Sequence, residues 1–311
     1  MRDARSRAGA WLGGVPAPVL VLAGIVSVQF GGAVAAAIVR QLGALVTVAM
    51  RLDVAALVLV LLARPSLRNR SSKAWAAAVL LGLSLAVMNL SFYSAVARLP
   101  IGVVVTIEFL GPLGLAAVIS RRPRDFCAVA LALFGVVAVS GVVGTDWASL
   151  DGLGLLLAAI AGACWAGYIM ATRSVGRLWR QLDGLAVAMV IAAGLITPFA
   201  AVAALGTPIS AGQALAGAAV AILSSVVPYS LELLALRRID TRVFGILLSL
   251  DPAVAAIAGL LILGETLGVL ELGGMALVIA ASVLVMVSAR PAAATPEDAA
   301  ADQLAEIAEL G

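Results

Sequence analysis

Histidine is absent from the 311 residues, lysine occurs once, and there are two cysteines. Without histidine the chain has neither a Ser-His-Asp triad nor a His-ligated zinc site, and Cys127 and Cys164 lie in different apolar runs. No glycine-rich loop precedes Lys73, so the chain lacks a nucleotide-binding P-loop. These absences predict a protein that is not an enzyme and that uses no nucleotide, metal or other cofactor.

Charged residues are scarce as well, at 12% of the chain, whereas hydrophobic residues make up 63% and the mean hydropathy is +1.14. Soluble domains have about 25% charged and about 45–50% apolar residues, so this chain has more apolar surface than a soluble fold can bury. The net charge of +3 comes from arginines scattered over the ends of apolar runs. That scatter excludes nucleic acid as a partner and predicts the lipid bilayer instead.

The apolar residues form repeated runs of about 20 residues, the length that a helix needs to cross the hydrocarbon core. Short segments of alternating polarity, which would indicate barrel strands, are absent, and lipid offers the backbone no other hydrogen-bond partners. The sequence therefore predicts an all-α membrane protein with ten transmembrane helices. The predicted spans are residues 17–38, 44–63, 74–97, 101–120, 126–144, 152–172, 184–205, 214–236, 242–264 and 267–288.

The distribution of basic residues predicts the topology. Seventeen of the 20 Lys and Arg residues fall in the two ends of the chain and in the even-numbered connections. The odd-numbered connections hold only Arg40 and Arg98, and Arg51 lies inside the second span. By the positive-inside rule both termini are cytoplasmic. We expect the membrane to be a bacterial plasma membrane. The first span is too long for a signal-peptide core, so we expect it to remain as a signal anchor.

An internal repeat becomes visible when the chain is shifted by 140 residues, which superposes Pro112 on Pro252 and Asn89 on Tyr229. Because each half holds five spans, an odd number, the second half enters the membrane from the opposite side, as in secondary transporters. The prediction is two inverted five-helix repeats. The predicted units are a cytoplasmic segment 1–16, a first repeat 17–144, a connecting loop 145–151, a second repeat 152–288 and an acidic, disordered cytoplasmic tail 289–311.

Two carboxylates inside the predicted spans stand beside prolines. A charged side chain deep in a span costs about 2.5 kcal/mol or more, so each one asks for a reason. Glu108 lies four residues before Pro112, and Asp251 directly precedes Pro252 in the corresponding span. Prolines free a backbone carbonyl and permit a bend, and broken helices at mid-membrane hold substrate and coupling ion in transporters. The alternative is a neutral or Arg-paired carboxyl group that only locks helices together.

Other polar residues in the spans leave their roles open. Glu232 lies close to Pro228, a third predicted hinge, and a capping or ion-pair role near Arg237 and Arg238 is the alternative to transport. Arg51 and Asp53 are two residues apart and face different sides, so Arg51 partners a carboxylate of another helix or of a substrate. Cavity lining, with core packing or interhelical hydrogen bonding as the alternative, is predicted for Gln29, Asn89, Tyr93, Trp165, Tyr168 and Tyr229. Without histidine, proton coupling requires a carboxyl group or a tyrosine, and Glu108 and Asp251 are the predicted carriers.

Five stretches of the sequence resemble the drug/metabolite transporter superfamily, specifically its EamA-type members and among them the threonine/homoserine exporters. They are Ile107–Pro112, Ser120–Phe126, Ala161–Ile169, Ala221–Glu232 and Thr241–Leu267, within a resemblance that runs from about residue 17 to 288. The resemblance implies a proton-driven exporter of small neutral amino acids such as threonine and homoserine. It also implies glutamate before the span-nine proline, where this chain has Asp251, one methylene shorter. Glu265, in the last stretch, is expected to be a loop or cap residue.

The competing interpretation is a multidrug or other metabolite exporter of the same superfamily. It is disfavoured because the first span carries Gln29 and no acidic residue, and because aromatic residues are few, at 5% of the chain. A membrane enzyme is disfavoured because Gly82–Ala86 lacks the final glycine and the strand of a nucleophile elbow. A passive channel is disfavoured because no ring of like charges indicates a filter.

Overall fold

Every regular element in the described part of the chain is a helix. The computed structural model describes residues 14–120, 122–140, 142, 146, 150–205, 208–258 and 268–288. No strand occurs within these ranges, which confirms the predicted all-α class. The predicted acidic tail and Glu265 lie outside the described residues, as do most of the segment 1–16 and most of the loop 145–151.

The helices follow the predicted spans closely. The α-helices are α1 (Ala17–Ala63), α2 (Ser72–Val96), α3 (Ile101–Ile119), α4 (Pro123–Val139), α5 (Gly152–Leu178), α6 (Asp183–Ala203), α7 (Ala211–Ala221), α8 (Val227–Leu236), α9 (Thr241–Leu247), α10 (Asp251–Ala258) and α11 (Val269–Ser288). A π-helical turn, Ile222–Val226, joins α7 to α8, and a 3₁₀ turn, Leu248–Leu250, joins α9 to α10.

Helix α1 contains two predicted spans, and Gly43 separates them. Its backbone has φ 78° and ψ 167°, in a region that only glycine adopts without strain. A helix cannot continue its direction through that conformation. The Thr47 hydroxyl donates a hydrogen bond of 2.8 Å to the Gly43 carbonyl and so holds the start of the second half.

Among the described residues, five helical segments are long and apolar enough to cross a membrane. They are Gln41–Ala63, Ser72–Val96, Gly152–Leu178, Asp183–Ala203 and Ala211–Leu236. Shorter apolar helices cover Ala17–Gly32, Val103–Ile119 and Val269–Val285. The chain therefore has the helix lengths and composition of a multi-pass membrane protein.

Ion pairs join helix ends and connections on the side that is predicted to be cytoplasmic. Arg70 pairs with Asp183 at 3.0 Å, and its guanidinium lies 4.8 Å from the centre of the Trp179 ring. Arg242, in the first turn of α9, pairs at 2.8 Å with Asp125 in the first turn of α4. The Asp125 side chain is 1% exposed, so this pair is a buried one. Arginines that predict topology from the sequence thus also join helix ends in the fold.

Candidate functional site

A cavity of about 160 Å³ lies between the helices, at the middle of the spans. Its wall combines a guanidinium, carboxylates and a phenol with apolar and aromatic side chains. The polar lining residues are Arg51, Asn89, Glu108, Ser224, Tyr229, Glu232 and Asp251, and the others are Ile25, Val28, Met88, Phe92, Val105, Phe109, Trp165 and Leu248. They come from both halves of the chain.

Pro228 explains the local structure of one wall. A proline has no N–H to donate, so the carbonyl four residues earlier, that of Ser224, has no helical partner. The chain forms the π-helical turn Ile222–Val226 at this place, and such turns are frequent at functional sites. The Ser224 carbonyl accepts a hydrogen bond from Arg51, and the Leu223 carbonyl accepts one of 2.6 Å from Ser27. The second half of the chain thus offers backbone acceptors to α1.

Arg51 is buried and hydrogen-bonded on every nitrogen. Its Nε donates to the Ser225 hydroxyl at 2.6 Å, and one terminal nitrogen donates to the Tyr93 hydroxyl at 3.4 Å. The other terminal nitrogen donates to the Ser224 carbonyl and, at 3.0 Å, to the Tyr229 hydroxyl. In the described part of the chain Arg51 forms no ion pair, so the predicted partner carboxylate on another helix is not found.

The three carboxylates of the cavity differ in their partners. Gln29 donates to an Asp251 carboxylate oxygen at 2.9 Å, and the Tyr168 hydroxyl donates to Glu232 at 2.6 Å. Glu108 is buried, and no hydrogen bond or ion pair joins its carboxylate to another described residue. Glu108 is therefore the one of these three carboxylates without a hydrogen-bond donor among the described residues.

Helices α3 and α5 cross closely beside Glu108. Pro112 has no N–H for the Glu108 carbonyl, and that carbonyl faces Gly162 of α5. A Cβ atom added at Gly111 would lie 1.9 Å from the Gly162 carbonyl oxygen, so only glycine allows this approach. Beside the crossing, the rings of Phe109 and Trp165 meet edge to face with centres 4.8 Å apart. Helix α3 continues through the predicted hinge Pro112 without a change of helix type.

The predicted span nine is interrupted where Asp251 stands. Helix α9 ends at Leu247, the 3₁₀ turn follows, and α10 begins at Asp251 with Pro252 in its first turn. The Ser249 hydroxyl caps the turn by donating to the Ile246 carbonyl at 2.6 Å. The interruption places the Asp251 carboxylate at the start of a helix and at the cavity wall.

The predicted site residues come together at this cavity. Residues in its wall are Arg51, Asn89, Glu108, Trp165, Tyr229, Glu232 and Asp251. Gln29, Tyr93 and Tyr168 stand one hydrogen bond behind them. Their functional roles stay predictions.

The alternative for Glu232, a capping or ion-pair role near Arg237 and Arg238, stays a prediction, and among the described residues no ion pair joins Glu232 to Arg237. Arg237 instead donates to the carbonyls of Trp179 at 3.1 Å and Gln181 at 2.6 Å. Those acceptors belong to the connection between α5 and α6. Glu232 therefore faces Tyr168 and the cavity, one turn of helix away from Arg237.

Sequence reasoning missed Ser224 and Ser225, which bind Arg51, and Thr197, whose hydroxyl donates to Asp53 at 2.6 Å. A signal for the serine pair exists, because Ser224 stands four residues before Pro228, where the missing N–H leaves a carbonyl free. For Thr197 the sequence has no such signal, since only the packing of α6 against α1 brings it to Asp53.

Membrane-length helices around a cavity that contains a guanidinium and three carboxylates are typical of membrane transport proteins. The EamA-like transporter family model matches residues 152–287. The threonine/homoserine exporter RhtA of Escherichia coli (strain K12) is 36% identical over 271 residues, which cover 85% of this chain and 89% of that protein. RhtA of Salmonella typhimurium (strain LT2) is 38% identical over 273 residues, covering 85% and 90%.

The chain belongs to the EamA-like transporter family and is a multi-pass bacterial membrane protein. A crystal structure of a protein 20% identical to this chain superposes with a TM-score of 0.70 over 88% of this chain and 97% of the other. At that identity the superposition shows a shared fold. The relatives carry names of exporters and not of enzymes.

Proposed function

We propose that this protein is a secondary active exporter of small neutral amino acids of the threonine/homoserine class. The observation that carries the proposal is the buried cavity in which one guanidinium, Arg51, stands with three carboxylates. An amino acid is a zwitterion, so it needs a cationic or donor group for its carboxylate and an anionic group for its ammonium. The cavity supplies both, and the exporters of threonine and homoserine to which the chain is similar support this substrate class.

The size of the cavity favours a small solute over the multidrug alternative. Sites for drug-sized ligands have volumes of about 300–1,000 Å³. This cavity has about 160 Å³. A small amino acid fits that volume better than a drug-sized lipophilic cation does.

We propose that the substrate ammonium binds at Glu108, because that carboxylate has no hydrogen-bond partner among the described residues. Asp251 and Glu232 are held by Gln29 and Tyr168. Proton coupling would use Glu108 or Asp251, since the chain contains no histidine. The substrate ammonium would displace the proton from the carboxylate on the cytoplasmic side, and after the cavity opens to the other side a proton from there would displace the ammonium.

The proposed mechanism is alternating access between two inverted five-helix repeats, with ten transmembrane helices and both termini in the cytoplasm. Asn89 and Tyr229, which superpose under the 140-residue shift, contact each other at 3.4 Å. A contact between equivalent residues is expected at an axis that relates two halves, so it supports this arrangement. Rocking of the halves around such an axis would open the cavity to each side in turn.

The proposed function is tested by counterflow in proteoliposomes that contain the purified full chain. Vesicles loaded with unlabelled threonine are expected to accumulate labelled threonine and homoserine, and to ignore labelled glutamate and lysine. Cationic dyes, tested as competitors, are expected to leave this exchange unchanged. Dye transport without amino-acid exchange would support the multidrug alternative and contradict the proposal.

Replacement of Glu108 tests its role directly. We expect Glu108→Gln to abolish threonine export from an overproducing cell while the protein still folds and inserts, because the amide cannot carry a proton or pair with an ammonium. Glu271→Gln is the matched control, since Glu271 lies outside the cavity and accepts a hydrogen bond from the Gly268 backbone. Normal extracellular threonine with Glu108→Gln would contradict the assignment.

A further inference from the structure

The hydrogen bonds around Arg51 leave little of its guanidinium for a substrate. A guanidinium has five N–H donors. The single Nε–H is used by Ser225, both N–H groups of one terminal nitrogen are used by Ser224 and Tyr229, and one N–H of the other is used by Tyr93. One donor remains. Arg51 therefore lacks the two parallel free N–H groups with which an arginine usually grips a carboxylate.

The Tyr229 hydroxyl is in the opposite position, because its acceptor capacity is used and its proton is not. Its oxygen accepts from Arg51 at 3.0 Å and from the Asn89 amide nitrogen at 3.4 Å. The orientation of the Asn89 amide is fixed, since the same nitrogen donates to the Leu85 carbonyl at 2.7 Å. With both lone pairs occupied by donors, the phenolic O–H has to donate elsewhere.

The Tyr229 hydroxyl has no acceptor among the described residues. The Tyr229 side chain lines the cavity, and no hydrogen bond leads from the Tyr229 hydroxyl to another described residue. Tyr168 packs against Tyr229 with ring centres 5.5 Å apart, but its own hydroxyl donates to Glu232. Of these two phenols, Tyr229 is the one whose proton is free.

We propose that the Tyr229 hydroxyl, together with the remaining N–H of Arg51, binds the carboxylate of the transported amino acid. Arg51 then acts mainly as a positioning residue that holds and polarises Tyr229. This inference rests on the proposed function, because it assigns a residue to the carboxylate end of that substrate. The ammonium end is left to Glu108, which lines the same cavity.

The test compares Tyr229→Phe with the wild type in threonine counterflow. We expect the KM for threonine to rise about tenfold or more while kcat stays near the wild-type value, since one hydrogen bond to a charged group is lost. We also compare threonine with L-threoninamide, which has no carboxylate, as competitors in the exchange. We expect the preference for threonine over the amide to be smaller in Tyr229→Phe than in the wild type. Ser174→Ala is the control, since it also removes one hydroxyl group but Ser174 lies outside the cavity and donates to the Met170 carbonyl.

The inference would be overturned if Tyr229→Phe had the wild-type KM for threonine, or if it preferred threonine over L-threoninamide as strongly as the wild type does. In either case, threonine exchange by the wild type would leave the proposed function standing. Absence of wild-type exchange would overturn both. If Tyr229→Phe does not insert, Tyr229→Gln and Tyr229→Glu form an isosteric pair. Glutamine keeps an N–H donor and glutamate does not, so we expect a much lower KM with glutamine, and equal values would contradict the inference.

Discussion

The carboxylates of the cavity differ in the hydrogen bonds that they accept. Glu232 is buried and its Oε2 accepts a hydrogen bond of 2.6 Å from the Tyr168 hydroxyl, whereas Glu108 has no such donor among the described residues. A buried carboxylate that loses its donor bears the full cost of desolvation. We therefore expect Glu232 to contribute to the stability of the fold, and we propose Glu108 as the open binding position.

Removal of the Tyr168 hydroxyl tests this distinction. We expect Tyr168→Phe to lower the free energy of unfolding by about 1–3 kcal/mol, because Glu232 is left without its donor. The measurement is thermal unfolding of the purified protein in detergent. Tyr93→Phe is the control, with a smaller loss, since Tyr93 only accepts a long bond of 3.4 Å from Arg51. Equal melting temperatures for Tyr168→Phe and the wild type would show that Glu232 does not need the phenol.

At the scale of elements, prolines decide where helices meet the cavity. Pro228 leaves the Ser224 carbonyl free for Arg51, and Pro112 leaves the Glu108 carbonyl facing Gly162. In both cases the carbonyl that lacks a partner in its own helix contacts another helix. The helices thus cross closely at the height of the charged side chains in the cavity.

The crossing of α3 and α5 is tested by adding one methyl group. We expect Gly111→Ala to reduce transport at least about tenfold and to lower stability by about 1–3 kcal/mol, because its Cβ would meet backbone and not a flexible side chain. Gly114→Ala on the same helix is the control, since nothing lies within 4 Å of its added Cβ. Counterflow and thermal unfolding are the measurements, and equal behaviour of the two variants would refute the close approach.

For the whole molecule, basic residues and ion pairs cluster at the same end of the bundle. Arg70 and Arg242, which the positive-inside rule places in the cytoplasm, also bind Asp183 and Asp125. At the other end Arg98 pairs with Asp151 at 3.5 Å, and both side chains are more than 40% exposed. Exposed pairs contribute little to stability, so the end predicted to be cytoplasmic is the more firmly joined one.

Cysteine labelling tests the orientation of the whole bundle. In a background with Cys127→Ser and Cys164→Ala, we expect a membrane-impermeant maleimide added to intact cells to label Leu205→Cys and to spare Leu67→Cys. Both positions are exposed in connections between helices, at 77% and 51%. Labelling after the cells are opened provides the control for reactivity. The reverse pattern would contradict the predicted topology.

The sequence by itself determined the all-α membrane class, because runs of about 20 apolar residues have only one stable structure in lipid. It also determined which polar residues needed an explanation, and Arg51, Glu108, Glu232 and Asp251 all proved to line one cavity. The position of the break in α1 was predictable to within a few residues, since Gly43 separates the two apolar runs.

Only the tertiary structure decided how these residues divide their hydrogen bonds. Gln29 and Asp251 are 222 residues apart in the chain, and Arg51 and Tyr229 are 178 apart. Apolar periodicity predicts which face of a helix is buried, but not which partner it meets, because in lipid many helix pairs bury similar surfaces. Whether the Glu108 carboxylate and the Tyr229 proton are free depends on contacts between helices. No single stretch of the sequence contains both residues of such a contact.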